Sequence, residues 1–185
     1  AWLLVTRRWP RWKWPTIGGL FESLLFGAVV SGVMLVAYFG WLRDAGYLAV
    51  AAQPVADKIT GFGVNSLPRY VALGVFYCLI HSLLEEYYWR WFLFGGLDRL
   101  MRLWPAILLS SVAFVGHHII ILAAYFGWTS PATVLFSACV GVGGAAWAWL
   151  YSRSGSLLGP WLSHLLVDAA IFIIGYDLVR SVGAW

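Results

Sequence analysis

The stretch HSLLEEYYWRW, residues 81–91, sets two adjacent glutamates and an arginine among apolar and aromatic side chains. Whether that stretch lies in water or in lipid decides the fold. Of the 185 residues, 62% are hydrophobic and 11% are charged. An ordinary soluble domain is about 45–50% apolar and about 25% charged. One soluble core of this size has no room for the excess, so it belongs in a bilayer. Thirteen Trp and nine Tyr agree, because these rings collect at membrane–water interfaces.

A spanning helix needs about 20 mostly apolar residues. Five runs qualify: 17–41, 69–95 (which holds the opening stretch), 104–126, 132–151 and 157–176. Pro68, Pro105, Pro131 and Pro160 fall near the starts of four runs, where a first helical turn tolerates proline. Residues 44–67 contain Pro54, Asp57 and Lys58 around a short apolar core. They read as an interfacial or re-entrant segment, with a sixth span as the alternative. The first run is too long for a signal-peptide core. The expected fold is all-α, a polytopic transmembrane helix bundle forming a single membrane domain over 1–185, with its motif-bearing core at 69–176.

The net charge is +4, yet the basic residues sit between hydrophobic runs, so no nucleic-acid partner is expected. With five spans and the N-terminus cytoplasmic, that side carries Arg7, Arg8, Arg11, Lys13, Arg99, Arg102 and Arg153. The far side carries Arg43, Lys58, Arg69 and Arg180. The bias favours the N-terminus inside, in a bacterial-type cell membrane. Cys78 and Cys139 show no metal spacing and read as apolar filler. In the fourth run, Gly141 and Ala145, then Gly144 and Ala148, are small residues four apart. They let another helix approach closely.

Ionisable groups inside a bilayer are costly and usually functional. Here they fall in three spans. Glu86 and Arg90 are four apart, the favourable order for a helical ion pair. Glu85 is turned about 100° away, which leaves it without a partner on its own face. An unpaired carboxyl in an apolar site holds its proton more tightly than in water, and a general base suited to neutral pH is made that way. His81, one turn before Glu85, is either a participant or a packing histidine. In AFVGHH, Phe114 and His118 share a face and His117 points elsewhere. In WLSHLLVD, His164 and Asp168 are four apart and can point into one cavity. Such a set can bind and activate a water. It can also ligate zinc through Glu85, His118 and His164, and spacing alone does not choose. The zincin pattern HExxH is absent.

These segments together resemble a known family. EEYYWR (85–90) fits EExxxR, FVGHH (114–118) fits FxxxH, and HLLVD (164–168) fits HxxxN/D. In this order, on three membrane helices, the chain resembles the CPBP family, which includes CAAX prenyl endopeptidases, Abi proteins and bacteriocin-immunity proteins. The resemblance implies hydrolysis of a peptide bond in a membrane-embedded or lipidated polypeptide. It makes Glu85 the general base, His118 the holder of the attacking water, and His164 with residue 168 the oxyanion stabilisers. Glu86 and Arg90 would brace the site. Members are described both as metalloproteases and as metal-independent glutamic proteases; the second, with no cofactor required, is the expectation here, with zinc the alternative. Asp at 168 departs from the better oxyanion donor, Asn. An ionised Asp has no proton to donate, so Asp168 is protonated, orients His164, or ligates a metal. Two other classes stay open: a non-catalytic immunity or scaffold protein, and a proton-coupled transporter. Transporters usually carry repeats and broken helices, and the sequence shows neither.

Overall fold

The computed structural model describes residues 13–184. Arg7, Arg8 and Arg11, which weigh in the expected orientation, lie outside the described residues. The described chain is all-helical, without strands. Five helices are long and apolar enough to cross a membrane: α1 (Ile17–Leu42), α3 (Leu67–Leu97), α4 (Leu103–Phe126), α5 (Pro131–Ser154) and α6 (Leu158–Ser181). Between α1 and α3 lies α2 (Ala49–Gly61), which has 13 residues. At 1.5 Å per residue it spans about 20 Å, short of the roughly 30 Å hydrocarbon core. Residues 44–67 therefore do not form a sixth span.

Local chemistry sets the helix ends. The Thr16 hydroxyl caps α1 by accepting from the Gly19 N–H at 3.1 Å, as N-cap residues do. Pro131 opens α5 at its first position. Gly155 closes α5 in the left-handed region, φ 61°, where a residue without Cβ meets no steric penalty.

The bundle is organised around two close pairs, α4 with α5 and α1 with α6. No hydrophobic effect drives helices together in lipid, so small residues and polar contacts hold them. At Gly144 a Cβ would lie 2.9 Å from the Phe114 ring, and at Gly141 a Cβ would lie 3.0 Å from Val115. The small residues of α5 thus admit the face of α4 that carries the histidines. At Gly27 a Cβ would stand 2.8 Å from both the Cα and the carbonyl oxygen of Ser163, so α1 touches the α6 backbone directly. α3 packs against α6 in its first half and against α4 in its second. It thereby crosses between the two pairs and carries its charged stretch into the interior. α2 packs on α6 and α4. It buries Ala56 and Ile59 in a cluster with Val64, Tyr70 and Val179. At the same end, Asp177 accepts from the Tyr38 hydroxyl at 2.9 Å and pairs with Arg43 at 2.9 Å.

The α1–α6 contact gives a direct test. Gly27→Val forces backbone apart, and overpacking of this kind costs about 1–3 kcal/mol. Gly27→Val should lower the unfolding temperature in detergent, whereas Gly32→Val, with open space around its Cβ position, should leave it nearly unchanged.

Candidate active site

The charged stretch of α3 is not a regular α-helix. A short α-helical piece, Ser82–Glu86, sits between two π-helical segments, Tyr77–His81 and Tyr87–Phe94. The Ser82 N–H reaches back five residues to the Tyr77 carbonyl, and the Gly95 N–H to that of Arg90. Such wide turns occur frequently at functional sites. Both glutamates lie on the tight piece between them.

Glu86 is fully buried and Arg90 is 2% exposed. Arg90 Nη1 stands 3.2 Å from Glu86 Oε1. The guanidinium lies over the rings of Phe114, at 4.5 Å, and Trp147, at 5.1 Å. Its Nη2 donates to the Gly144 carbonyl at 3.3 Å. Glu86 Oε1 also accepts from His164 Nδ1 at 2.8 Å. α3, α4, α5 and α6 therefore all meet on this one ion pair.

Glu85 leaves that cluster and turns to the histidines of α4. Its Oε1 is 3.2 Å from His117 Nε2, and its Oε2 is 3.7 Å from His164 Nε2. One expectation from sequence needs correction here: His117 does point into the site. The partners of Glu85 stand on other helices, α4 and α6. Helical spacing gives the angle between His117 and His118. It does not give where the neighbouring helix stands, and α3 lies close enough for both rings to face it. Trp89 holds His117 there, its indole parallel to the imidazole at 4° and 5.1 Å. His118 Nδ1 bonds the Phe114 carbonyl at 3.0 Å. A carbonyl only accepts, so Nδ1 carries the hydrogen and Nε2 is left as an acceptor.

His164 is 5% exposed and lies deeper. Its Nδ1 bonds Glu86, while Nε2 faces Glu85 Oε2 and Asp168 Oδ1, the latter at 3.6 Å. The sequence paired His164 with Asp168; the shorter bond is to Glu86. Both nitrogens face carboxylates, and both can donate only in the imidazolium. Phe114 walls the site, its ring 4.5 Å from His118 and 6.4 Å from His164. His81 lays its ring against Tyr77 at 4.7 Å.

Among the described residues, one donor set is compact enough for a metal. Ligand atoms of Glu85, His117 and His118 all lie within 4.8 Å of one another. Three such ligands plus a water match a catalytic zinc centre, so the residues fit the ion. This set takes His117 where the sequence reading took His164, because His164 is turned towards Glu86.

Sequence reasoning missed both stacked tryptophans. Trp147 lies flat on His164, with ring centroids 4.2 Å apart at 17°. Nothing in the sequence singled it out: Trp147 lies four residues before the end of the run at 132–151, near the interface where such rings are expected.

Comparison with known proteins agrees with this geometry. A family profile described as Rce1-like, type II CAAX prenyl endopeptidase Rce1-like, matches residues 67–170. The match covers more than half of the chain and all three polar segments, and the chain belongs to this family of membrane proteases. No curated protein and no solved structure gave a significant match.

The buried pair predicts a stability pattern. Arg90→Met leaves Glu86 charged and short of a partner, which costs about 3–5 kcal/mol. Thermal unfolding in detergent should show a large loss for Arg90→Met. The double change Glu86→Gln with Arg90→Met, which leaves no unpaired charge, should be milder.

Proposed function

We propose that this Rce1-like chain hydrolyses a peptide bond of a membrane-embedded or lipidated polypeptide, with Glu85 activating the water. The observation that carries the reading is the different fate of the two glutamates. Glu86 is enclosed by Arg90 and His164. Glu85 is braced by His117, lies beside His118, and keeps its side chain 13% exposed. A protein that only binds a peptide has no use for a carboxylate held in this way.

In this reaction a water donates one hydrogen to Glu85 and the other to His118 Nε2, the acceptor left by the bond to Phe114. Glu85 takes its proton as the oxygen attacks the scissile carbonyl. His164 offers Nε2–H to the oxyanion, and stabilisation of this kind usually contributes more to acyl transfer than any other single effect. Glu85 then returns the proton to the leaving amine. Asp168, beside Nε2, acts through His164 by orienting it and stabilising its charged form.

No metal is required for this route, since the chain's own groups handle both the water and the oxyanion. Zinc on Glu85, His117 and His118 is the competing arrangement, and it would supply a more acidic water. The family description points to prenylated CAAX sequences as a substrate class. We place the N-terminus on the cytoplasmic side of a bacterial-type membrane, which puts the α3–α4 turn with Arg99 and Arg102 on that side.

The test uses purified protein in proteoliposomes with a fluorogenic, farnesylated CAAX peptide, alongside termini mapping of membrane proteomes. Glu85→Gln keeps the size and removes the base, so cleavage should fall by about 10²–10⁴-fold. Cleavage by Glu85→Gln at the parent rate would refute the assignment. No new termini for the parent protein relative to Glu85→Ala would point instead to a non-catalytic relative. Activity should survive chelators; its loss, with return on adding zinc, would establish the metal-bound alternative.

A further inference from the structure

We propose that Trp147 is a positioning residue for this reaction, holding the His164 ring at the angle that joins Glu86 to the oxyanion site. The inference rests on the proteolytic reading above for its kinetic consequence, but its structural half stands alone. Trp147 is on α5, the site helix that carries none of the three polar segments. It is 5% exposed. Its indole covers His164 face to face at 4.2 Å and 17°. An indole in a loose pocket would drift, and this one is tethered. Its Nε1–H donates to the hydroxyl of Ser163 at 3.0 Å, one residue before the histidine it covers. Phe26 of α1 sets its edge against the indole at 6.4 Å and 88°. Arg90 lies over the same indole at 5.1 Å. α1 also fixes Ser163 itself, through the close approach at Gly27.

The arrangement constrains the ring in a way that the hydrogen bonds do not. Glu86 fixes one nitrogen of His164 but leaves the ring free to swing about that bond. A flat partner removes the swing, so Nε2 stays aimed between Glu85 and Asp168. The constraint acts at the charged step of the reaction, not on substrate binding. The support comes partly from α1, outside the matched segment at 67–170.

The experiment has two readouts on the full chain. First, histidine-selective ¹⁵N labelling in micelles follows the downfield Nε2–H signal of His164, the nitrogen that swings if only Nδ1 is held, assigned by its disappearance in His164→Gln; there are four histidines in the chain. Second, kcat and KM are measured per folded molecule on the farnesylated CAAX peptide. Trp147→Leu should lose the downfield signal and drop kcat by about 10–100-fold, the size expected when a catalytic group is misplaced by about 1 Å, with KM within about twofold. Trp147→Phe keeps a ring and should regain the signal and most of the rate. Survival of the signal in Trp147→Leu overturns the proposal, because Glu86 alone then holds the ring. So does a Phe variant as impaired as the Leu variant, because bulk and not stacking would be the cause. If Trp147→Leu does not fold, the Phe variant and Ser163→Ala, which unhooks the indole, still decide through the same signal. Failure of the proteolytic reading shows separately, as undiminished cleavage by Glu85→Gln.

Discussion

The structure turns on one buried ion pair, Glu86 with Arg90, in the middle of a membrane bundle. Neither side chain has meaningful access to solvent. Taking two charges out of water is expensive, and the attraction between them offsets that only with good geometry and further hydrogen bonds. The further contacts come from every neighbouring helix of the site: the Gly144 carbonyl on α5, the Phe114 ring on α4, and His164 on α6. The pair thus fixes how four helices meet, and the glycines of α5 are placed where that meeting needs room.

The same pair separates the two glutamates. Glu86 is committed to Arg90 and His164, while the neighbouring Glu85 turns to His117. The two glutamates are adjacent in sequence, yet one is enclosed in a polar knot and the other, partly exposed, faces the histidines of α4. The π-helical segments on either side of Ser82–Glu86 isolate this turn from the regular helix around it. Beside it, two imidazoles of α4 and one of α6 are each backed by an aromatic ring. The partners of His117 and His164 lie flat, and a flat ring holds an imidazole without competing for its nitrogens.

Much of this was legible in the sequence, and the reason is the bilayer. Lipid demands long apolar runs, so the five spans were readable from composition and length. The ends of those runs agree with the helices to within a few residues. Within one helix, spacing also sufficed: Glu86 and Arg90 are four apart and stand in contact. What spacing could not give was anything set by a neighbouring helix. Spacing alone directs His117 away from the site, because a face on an isolated helix has no partner to define it. For the same reason it matches His164 to Asp168, four residues on, when the shorter bond runs to Glu86 on α3. Trp147 belongs to no motif and gains its meaning only once α5 is laid against α6.

The central claim is that one glutamate reacts while its neighbour holds the bundle together. Thermal unfolding of Glu85→Gln and Glu86→Gln, measured side by side in the same detergent, tests it without any substrate. Each change removes one charge and keeps the shape. Glu85→Gln should be as stable as the parent or more so, as expected where a site trades stability for function. Glu86→Gln should be markedly destabilised, because Arg90 is left charged and buried without its partner. Equal unfolding temperatures for the two variants, or a loss at Glu85 larger than at Glu86, would contradict the claim.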